Sequence, residues 1–259
     1  MLDELFAGSI ADAQRRRENV SLERVEKAAL SQTPALNALE FLAPGAQIKI
    51  LAEVKRASPS RGQMAEIPDP AALAKIYSEN GASAISVLTE ERKFKGSLED
   101  LISVRANVEV PLLRKDFIAN EYQILEARAA GADIILLIVA GLLQKDIERL
   151  KRFTEELGMT AFVETHSEDE LKRALDVDTR MVGINARDLS TFETDRNLFG
   201  KLVHLIPENV IKVAESAVRN ADDVAHYRAA GADVALVGEA LVTNDPAAML
   251  QSFLAAGKS

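Results

Sequence analysis

The sequence predicts an α/β fold, a closed (βα)₈ TIM barrel with an N-terminal helical extension, on three observations. Eight short apolar runs succeed one another between residues 47 and 259, stretches of helical period separate them, and the passage from helix to apolar run is marked three times by the same Gly-Ala pair. Near-continuous apolar strands alternating with amphipathic helices make parallel sheets covered by helices. Eight such units in residues 47–259 fit a closed barrel, which typically runs to about 250 residues as one domain, better than an open doubly wound sheet.

Each element has its own signal. Residues 2–30 are helix-favouring and highly charged, and Ala43-Pro44-Gly45-Ala46 separates them from the first apolar run. A segment that small cannot bury a core of its own, so residues 1–46 are expected to be an extension packed on the barrel of residues 47–259, within one domain. The expected strands are Ile48–Val54, the run AISVL from Ala84, Leu112–Lys115, IILLI from Ile134, Thr160–Val163, Met181–Ile184, Ile211–Ala214 and VALVG from Val234. Gly81, Gly131 and Gly231, each followed by Ala, precede three of these runs. Glycine takes the left-handed conformation cheaply after a helix, and a strand can then begin at once. Residues 121–130, 144–157, 167–175 and 220–230 carry helical periodicity. In the second of these, Ile147, Leu150, Phe153 and Leu157 share one face and charges occupy the other. Asp69-Pro70 and Asp245-Pro246 read as helix starts with Pro at the first helical position.

Composition narrows the function. The charge is −9, from 31 Lys and Arg against 40 Asp and Glu, with no basic cluster longer than Arg15-Arg16-Arg17. That argues against a nucleic-acid or anionic-membrane surface. Without cysteine there are no disulfides, thiolate metal sites or cysteine nucleophiles. The N-terminus is acidic where a signal peptide is basic, and the longest apolar run, Ile134 to Leu143, is too short to cross a bilayer. A cytoplasmic protein is the default expectation, and no protein partner is indicated.

In such a barrel the C-terminal ends of the strands face the active site, so charges that end apolar strands are the candidates. The two-residue period puts Leu51, Glu53 and Lys55 on one face. The third strand ends at Lys115, the fifth continues to Glu164 and the sixth to Asn185. Any one of these reads more simply as a rim charge. Several together carry a desolvation cost that apolar side chains would avoid, and point to a polar substrate. Lys115 with Glu164 is the expected acid–base pair, the lysine lowered by neighbouring cations and the glutamate raised by a dry pocket. After the seventh and eighth strands, Ser216-Ala217 and Gly238-Glu239 read equally well as plain turns or as phosphate-binding loops, with Gly238 permitting close backbone approach. Ser58-Pro59-Ser60-Arg61-Gly62 is a lid or a passive connection. His166, His204 and His226 have no ligand spacing and read as surface residues; no metal is expected. Dinucleotide, P-loop and nucleophile-elbow patterns are absent.

Longer segments carry a resemblance. Ile50-Leu51-Ala52-Glu53-Val54-Lys55-Arg56-Ala57-Ser58-Pro59-Ser60, Leu113-Arg114-Lys115-Asp116-Phe117-Ile118, Val163-Glu164-Thr165-His166, Gly183-Ile184-Asn185-Ala186-Arg187-Asp188-Leu189 and Ala214-Glu215-Ser216 together resemble indole-3-glycerol-phosphate synthases over essentially the whole chain. The resemblance implies conversion of 1-(2-carboxyphenylamino)-1-deoxyribulose 5-phosphate to indole-3-glycerol phosphate, with release of CO₂ and water and no cofactor. It implies Lys115 as general acid in ring closure and Glu164 in later proton transfer. Glu53 and Asn185 would stabilise charged intermediates, and Lys55 would contact substrate and leaving group. It further implies Ser58 near the substrate, Phe117 against the anthranilate ring, Arg187 and Glu215 in the polar shell, and Ser216, Ala217, Gly238 and Glu239 at the phosphate.

Two residues depart from the family pattern at the phosphate loops. Ala217 stands where Gly is usual, so a positive φ there would be strained. Glu239 stands where Ser is common, so its carboxylate is expected to point away from a phosphate. Ala186 and Asp188 also replace amides common in the family. Two alternatives remain open from sequence: a Schiff-base enzyme using Lys115, and a non-catalytic barrel that only binds a sugar phosphate.

Overall fold

The computed structural model describes residues 1–188 and 193–258; Leu189, which ends the fourth resembling segment, lies outside them. Eight parallel strands close a barrel: β1 (Lys49–Val54), β2 (Ala84–Leu88), β3 (Leu112–Lys115), β4 (Ile134–Ile138), β5 (Thr160–Thr165), β6 (Met181–Asn185), β7 (Ile211–Glu215) and β8 (Val234–Val237). β1 pairs with β8 at Lys49 opposite Val234 and with β2 at Leu51 opposite Ala84, which shuts the ring. Every expected strand is present, and these strands are almost wholly buried, as a sheet covered on its outer face requires.

The junctions obey the expected chemistry. Gly81, Gly131 and Gly231 have φ of +94°, +88° and +101°, the left-handed region that admits glycine without strain. Asp69 and Asp245 cap their helices by accepting hydrogen bonds from the Ala72 and Ala248 amides, each at 2.9 Å, with Pro at the first turn. Asn120 and Asn220 add reciprocal capping boxes.

The first residues form α1 (Leu2–Asn19), α2 (Leu22–Leu30) and α3 (Ala38–Phe41). Leu5 and Phe6 of α1 belong to the same apolar cluster as the barrel, and the Phe6 ring meets Phe117 edge to face at 5.5 Å. A Cβ at Gly141 would collide with the Phe6 ring, so that glycine admits the aromatic anchor. Past β1 the chain makes a small antiparallel hairpin, Ala57–Ser58 with Gly62–Gln63, over the barrel mouth. Sequence showed only a polar loop there, because two-residue strands have no periodicity to read.

Candidate active site

In a (βα)₈ barrel, alternate strands contribute the four side chains of each interior layer. Here β1, β3, β5 and β7 supply Leu51, Leu113, Phe162 and Val213, all fully buried. One pleat repeat further on, the same four strands supply Glu53, Lys115, Glu164 and Glu215. The top layer of the barrel is therefore ionic where the layer beneath it is apolar. Lys115 Nζ lies 3.0 Å from Glu215 Oε2 and 3.7 Å from both Glu53 Oε2 and Glu164 Oε2. Lys55, just past β1, places Nζ 2.6 Å from Glu53 Oε1. From β6, Asn185 Nδ2 donates to Glu164 Oε1 at 3.2 Å. These groups, and every other residue singled out from sequence for substrate or phosphate, line one open cavity of about 1200 Å³ counted out to solvent.

Two glycines make the layer possible. A Cβ at Gly183 would strike Glu215 Oε1 and the Phe162 ring, and one at Gly238 would strike the Glu53 carboxylate. Gly238, expected to permit close approach to a phosphate, clears room for Glu53 through its missing side chain.

The charges differ from expectation in two ways. Lys115 is pushed above the ordinary lysine range, not lowered: burial opposes its charge, but Glu215, Glu53 and Glu164 together outweigh burial. Glu164 is lowered, not raised, because Lys115 and then His166 overcome the cost of burying it. The raised carboxyl is Glu215, pushed up to about 8 by burial and by the neighbouring Glu164 carboxylate. Burial also works against Glu53, whose carboxyl is nevertheless held low by Lys55 and Lys115. The sequence pattern identified the charged set but not which carboxyl keeps its proton, since that depends on cations counted in three dimensions.

Ser216 and Ala217 both adopt left-handed backbone, φ +65° and +59°. The strain anticipated for Ala217 is thus present, and Ser216 shares it. The Ser216 hydroxyl donates to Asn185 Oδ1 at 2.8 Å. The amides of Ala217, Val218, Glu239 and Ala240 donate to no protein acceptor among the described residues. The Glu239 carboxylate is ion-paired with Arg61 from the hairpin, across the mouth. Arg187 takes its place on the rim with Nη1 donating to Ser60 Oγ at 3.4 Å. Ser58 lies on the hairpin at the cavity wall. Phe117, packed against Phe6 and, at 6.1 Å, Phe94, forms an aromatic wall.

Sequence reasoning missed several participants. His166 is not a surface residue: its side chain is buried between Glu164 and Glu170. Its place two residues after a strand-ending glutamate was the available signal. Arg61, Phe94 and Arg219 also line the cavity, brought there by loops whose paths local pattern does not reveal. Among the described residues no cluster of His, Asp and Glu is arranged to hold a metal ion.

Comparison with known proteins agrees with this geometry. The family model for indole-3-glycerol phosphate synthase matches residues 2–253. The indole-3-glycerol phosphate synthase of Leifsonia xyli is 62% identical over 253 residues, covering 98% of this chain and 97% of that protein. The chain belongs to the indole-3-glycerol phosphate synthase family. The enzyme of the same name from Mycolicibacterium smegmatis is 51% identical over 259 residues, covering 99% of this chain and 94% of that protein. The chain is accordingly a carboxy-lyase of tryptophan biosynthesis. Among solved structures, 3-hexulose-6-phosphate synthase from Salmonella typhimurium superposes with TM-score 0.66 at 14% identity, over 81% of this chain and 98% of that one. That likeness shows the barrel fold alone. No described helix is long and apolar enough to cross a membrane.

Proposed function

We propose that the ionic top layer performs the family's ring closure, decarboxylation and dehydration on 1-(2-carboxyphenylamino)-1-deoxyribulose 5-phosphate. The observation that carries the assignment of roles is Lys115, a buried ammonium held among the carboxyl groups of Glu53, Glu164 and Glu215. Closing a carbon–carbon bond onto a carbonyl makes an alkoxide, which needs a proton; loss of CO₂ restores the aromatic ring; departure of the new hydroxyl as water needs a second proton, and a base removes one. A lysine kept charged by its surroundings is the donor for the first step. Lys55, at the edge of the layer beside Glu53, serves the leaving hydroxyl. Glu164, ionised and steadied by Asn185, is the base, and Glu215 holds a proton in reserve at neutral pH. Glu53 pairs with both lysines and faces the positive charge that develops on the substrate.

A Schiff base on Lys115 is disfavoured because imine formation needs the neutral amine, which the neighbouring Glu53 and Glu164 carboxylates suppress. The aromatic wall of Phe117 takes the anthranilate ring, and Ser58 and Arg187 close over it. The uncommitted amides around Ala217 and Glu239 receive the phosphate. Ser216 orients Asn185, and its left-handed backbone, with that of Ala217, turns the amides toward the cavity. Residues 1–46 are read as an extension of a single domain, supported by Leu5 and Phe6 in the barrel's own core. A cytoplasmic location accords with the biosynthetic role of the relatives.

The test is direct. Addition of the carboxyphenylamino-deoxyribulose phosphate is expected to produce indole fluorescence, against a protein that contains no Trp. Phosphate-ester binding without product would favour a non-catalytic barrel instead, and a borohydride-trapped adduct on Lys115 would revive the imine mechanism.

A further inference from the structure

His166 follows β5 immediately, and its imidazole lies between two carboxylates. Nε2 is 3.3 Å from Glu164 Oε1 and Nδ1 is 3.2 Å from Glu170 Oε2. Glu170, on the helix Glu168–Leu175, is fixed in turn: its Oε2 accepts the His166 amide at 2.8 Å, and its own amide donates to Ser167 Oγ at 3.2 Å. Nδ1 is hydrogen-bonded to Glu170, whereas Nε2 meets Glu164 only as a charge contact, an attraction that the imidazolium provides and the neutral ring does not. The two carboxylates overcome the burial that disfavours a charged ring and push it up to about 10.

Glu164 Oε1 thus accepts a hydrogen bond from Asn185 Nδ2 and has His166 Nε2 beside it at 3.3 Å, a charge contact without a hydrogen bond. Its other oxygen, Oε2, is buried with no hydrogen bond and sits 3.7 Å from Lys115. Glu164 and Glu215 share Lys115, but only Glu164 has a second cation against it. That asymmetry separates two carboxyls of the same residue type in the same layer: one stays ionised, and the other retains a proton.

We propose that His166, as an imidazolium backed by Glu170, is a positioning residue whose charge beside Oε1 holds Glu164 and leaves Oε2 ionised and directed at the reacting centre. This rests on the reading of Glu164 as the base. The titratable groups around the imidazole are Glu164 from β5 and Glu170 from the following helix. Beyond Glu164 stand Lys115 from β3, Glu215 from β7 and Glu53 from β1.

The experiment uses the full chain. His166→Gln keeps a donor near Glu164 but removes the charge. It is expected to lower kcat roughly 10–100-fold with KM changed by less than about threefold, and to move the acid limb of the kcat profile to higher pH. Glu170→Gln moves that limb the same way by less. A His166→Gln enzyme with kcat within about twofold of the parent and an unmoved acid limb overturns the proposal. Should that variant fail to fold, NMR titration of the parent decides, since only three histidines need assignment. The His166 ring is expected to stay charged through pH 8, and its titration to fall to lower pH in Glu164→Gln; a ring neutral at pH 7 overturns the proposal. Near-normal turnover by Glu164→Gln would instead remove Glu164 as the base, an outcome distinct from any His166 titration.

Discussion

Three consecutive residues, Arg114, Lys115 and Asp116, divide between two buried ionic clusters that behave in opposite ways. Lys115 points into the barrel, where buried carboxylate oxygens of Glu53, Glu164 and Glu215 have no hydrogen-bond partner. Arg114 and Asp116 point outward, beneath α1, and there every charge is matched. Arg114 Nε donates to Thr89 Oγ1 at 3.0 Å, Nη1 to the Gln123 carbonyl at 2.6 Å and Nη2 to Asp116 Oδ2 at 3.0 Å. Asp116 also accepts from Ser9 Oγ at 2.8 Å, Thr89 Oγ1 at 2.6 Å and its neighbour's amide at 2.8 Å. A buried charge network that serves architecture satisfies itself. One that serves chemistry leaves capacity open for a substrate, at a cost in stability.

The contrast is tested most severely by Lys115→Ala, which is expected to reduce turnover by about 10²–10⁴-fold while circular dichroism shows a folded barrel. Near-normal activity would place the acid elsewhere. Asp116→Ala is the outer counterpart: it removes the nearer counter-charge of the fully buried Arg114 guanidinium, leaving Glu126 at 3.5 Å, and releases Ser9, and should cost about 3–5 kcal/mol in equilibrium denaturation. A loss under about 1 kcal/mol would mean that water reaches this network and that it differs little from the mouth.

The two clusters also respond oppositely to pH. Asp116 is held below its ordinary 3.8, because Arg114 and three hydrogen bonds outweigh burial, so its contribution to stability is present above that value and is lost as pH falls. Glu215, raised from 4.5 to about 8, favours the folded state below 4.5, and that contribution is lost as pH rises through 8. Glu215→Gln should therefore flatten the decline in denaturation midpoint between pH 5 and 8, and remove an alkaline limb of kcat near 8. A midpoint profile that matches the parent would show that Glu215 is ionised throughout. The smallest effect is at the rim: Ala217→Gly relieves a left-handed alanine and should stabilise by about 0.5–1 kcal/mol, read as a higher melting temperature.

Much of this molecule is written in local pattern. The eight strands, the Gly-Ala junctions and the Asp-Pro helix starts follow from period, propensity and capping, which act over a few residues and need no knowledge of partners. Parity along a strand went further: it placed Glu53, Lys115 and Glu164 at the mouth, because side chains in a pleated strand alternate strictly. What local pattern could not supply was the count of neighbours around each charge. Glu164 and Glu215 are alike as strand-ending glutamates, yet they differ in whether His166 stands beside them, and His166 looked like a surface residue until the helix carrying Glu170 was folded against it. Lys115 was expected to lose basicity among cations and instead sits among carboxyl groups drawn from β1, β5 and β7. Backbone architecture is specified by short-range terms along the chain. Protonation and orientation are long-range sums over groups that only closure of the barrel brings within a few ångströms of one another.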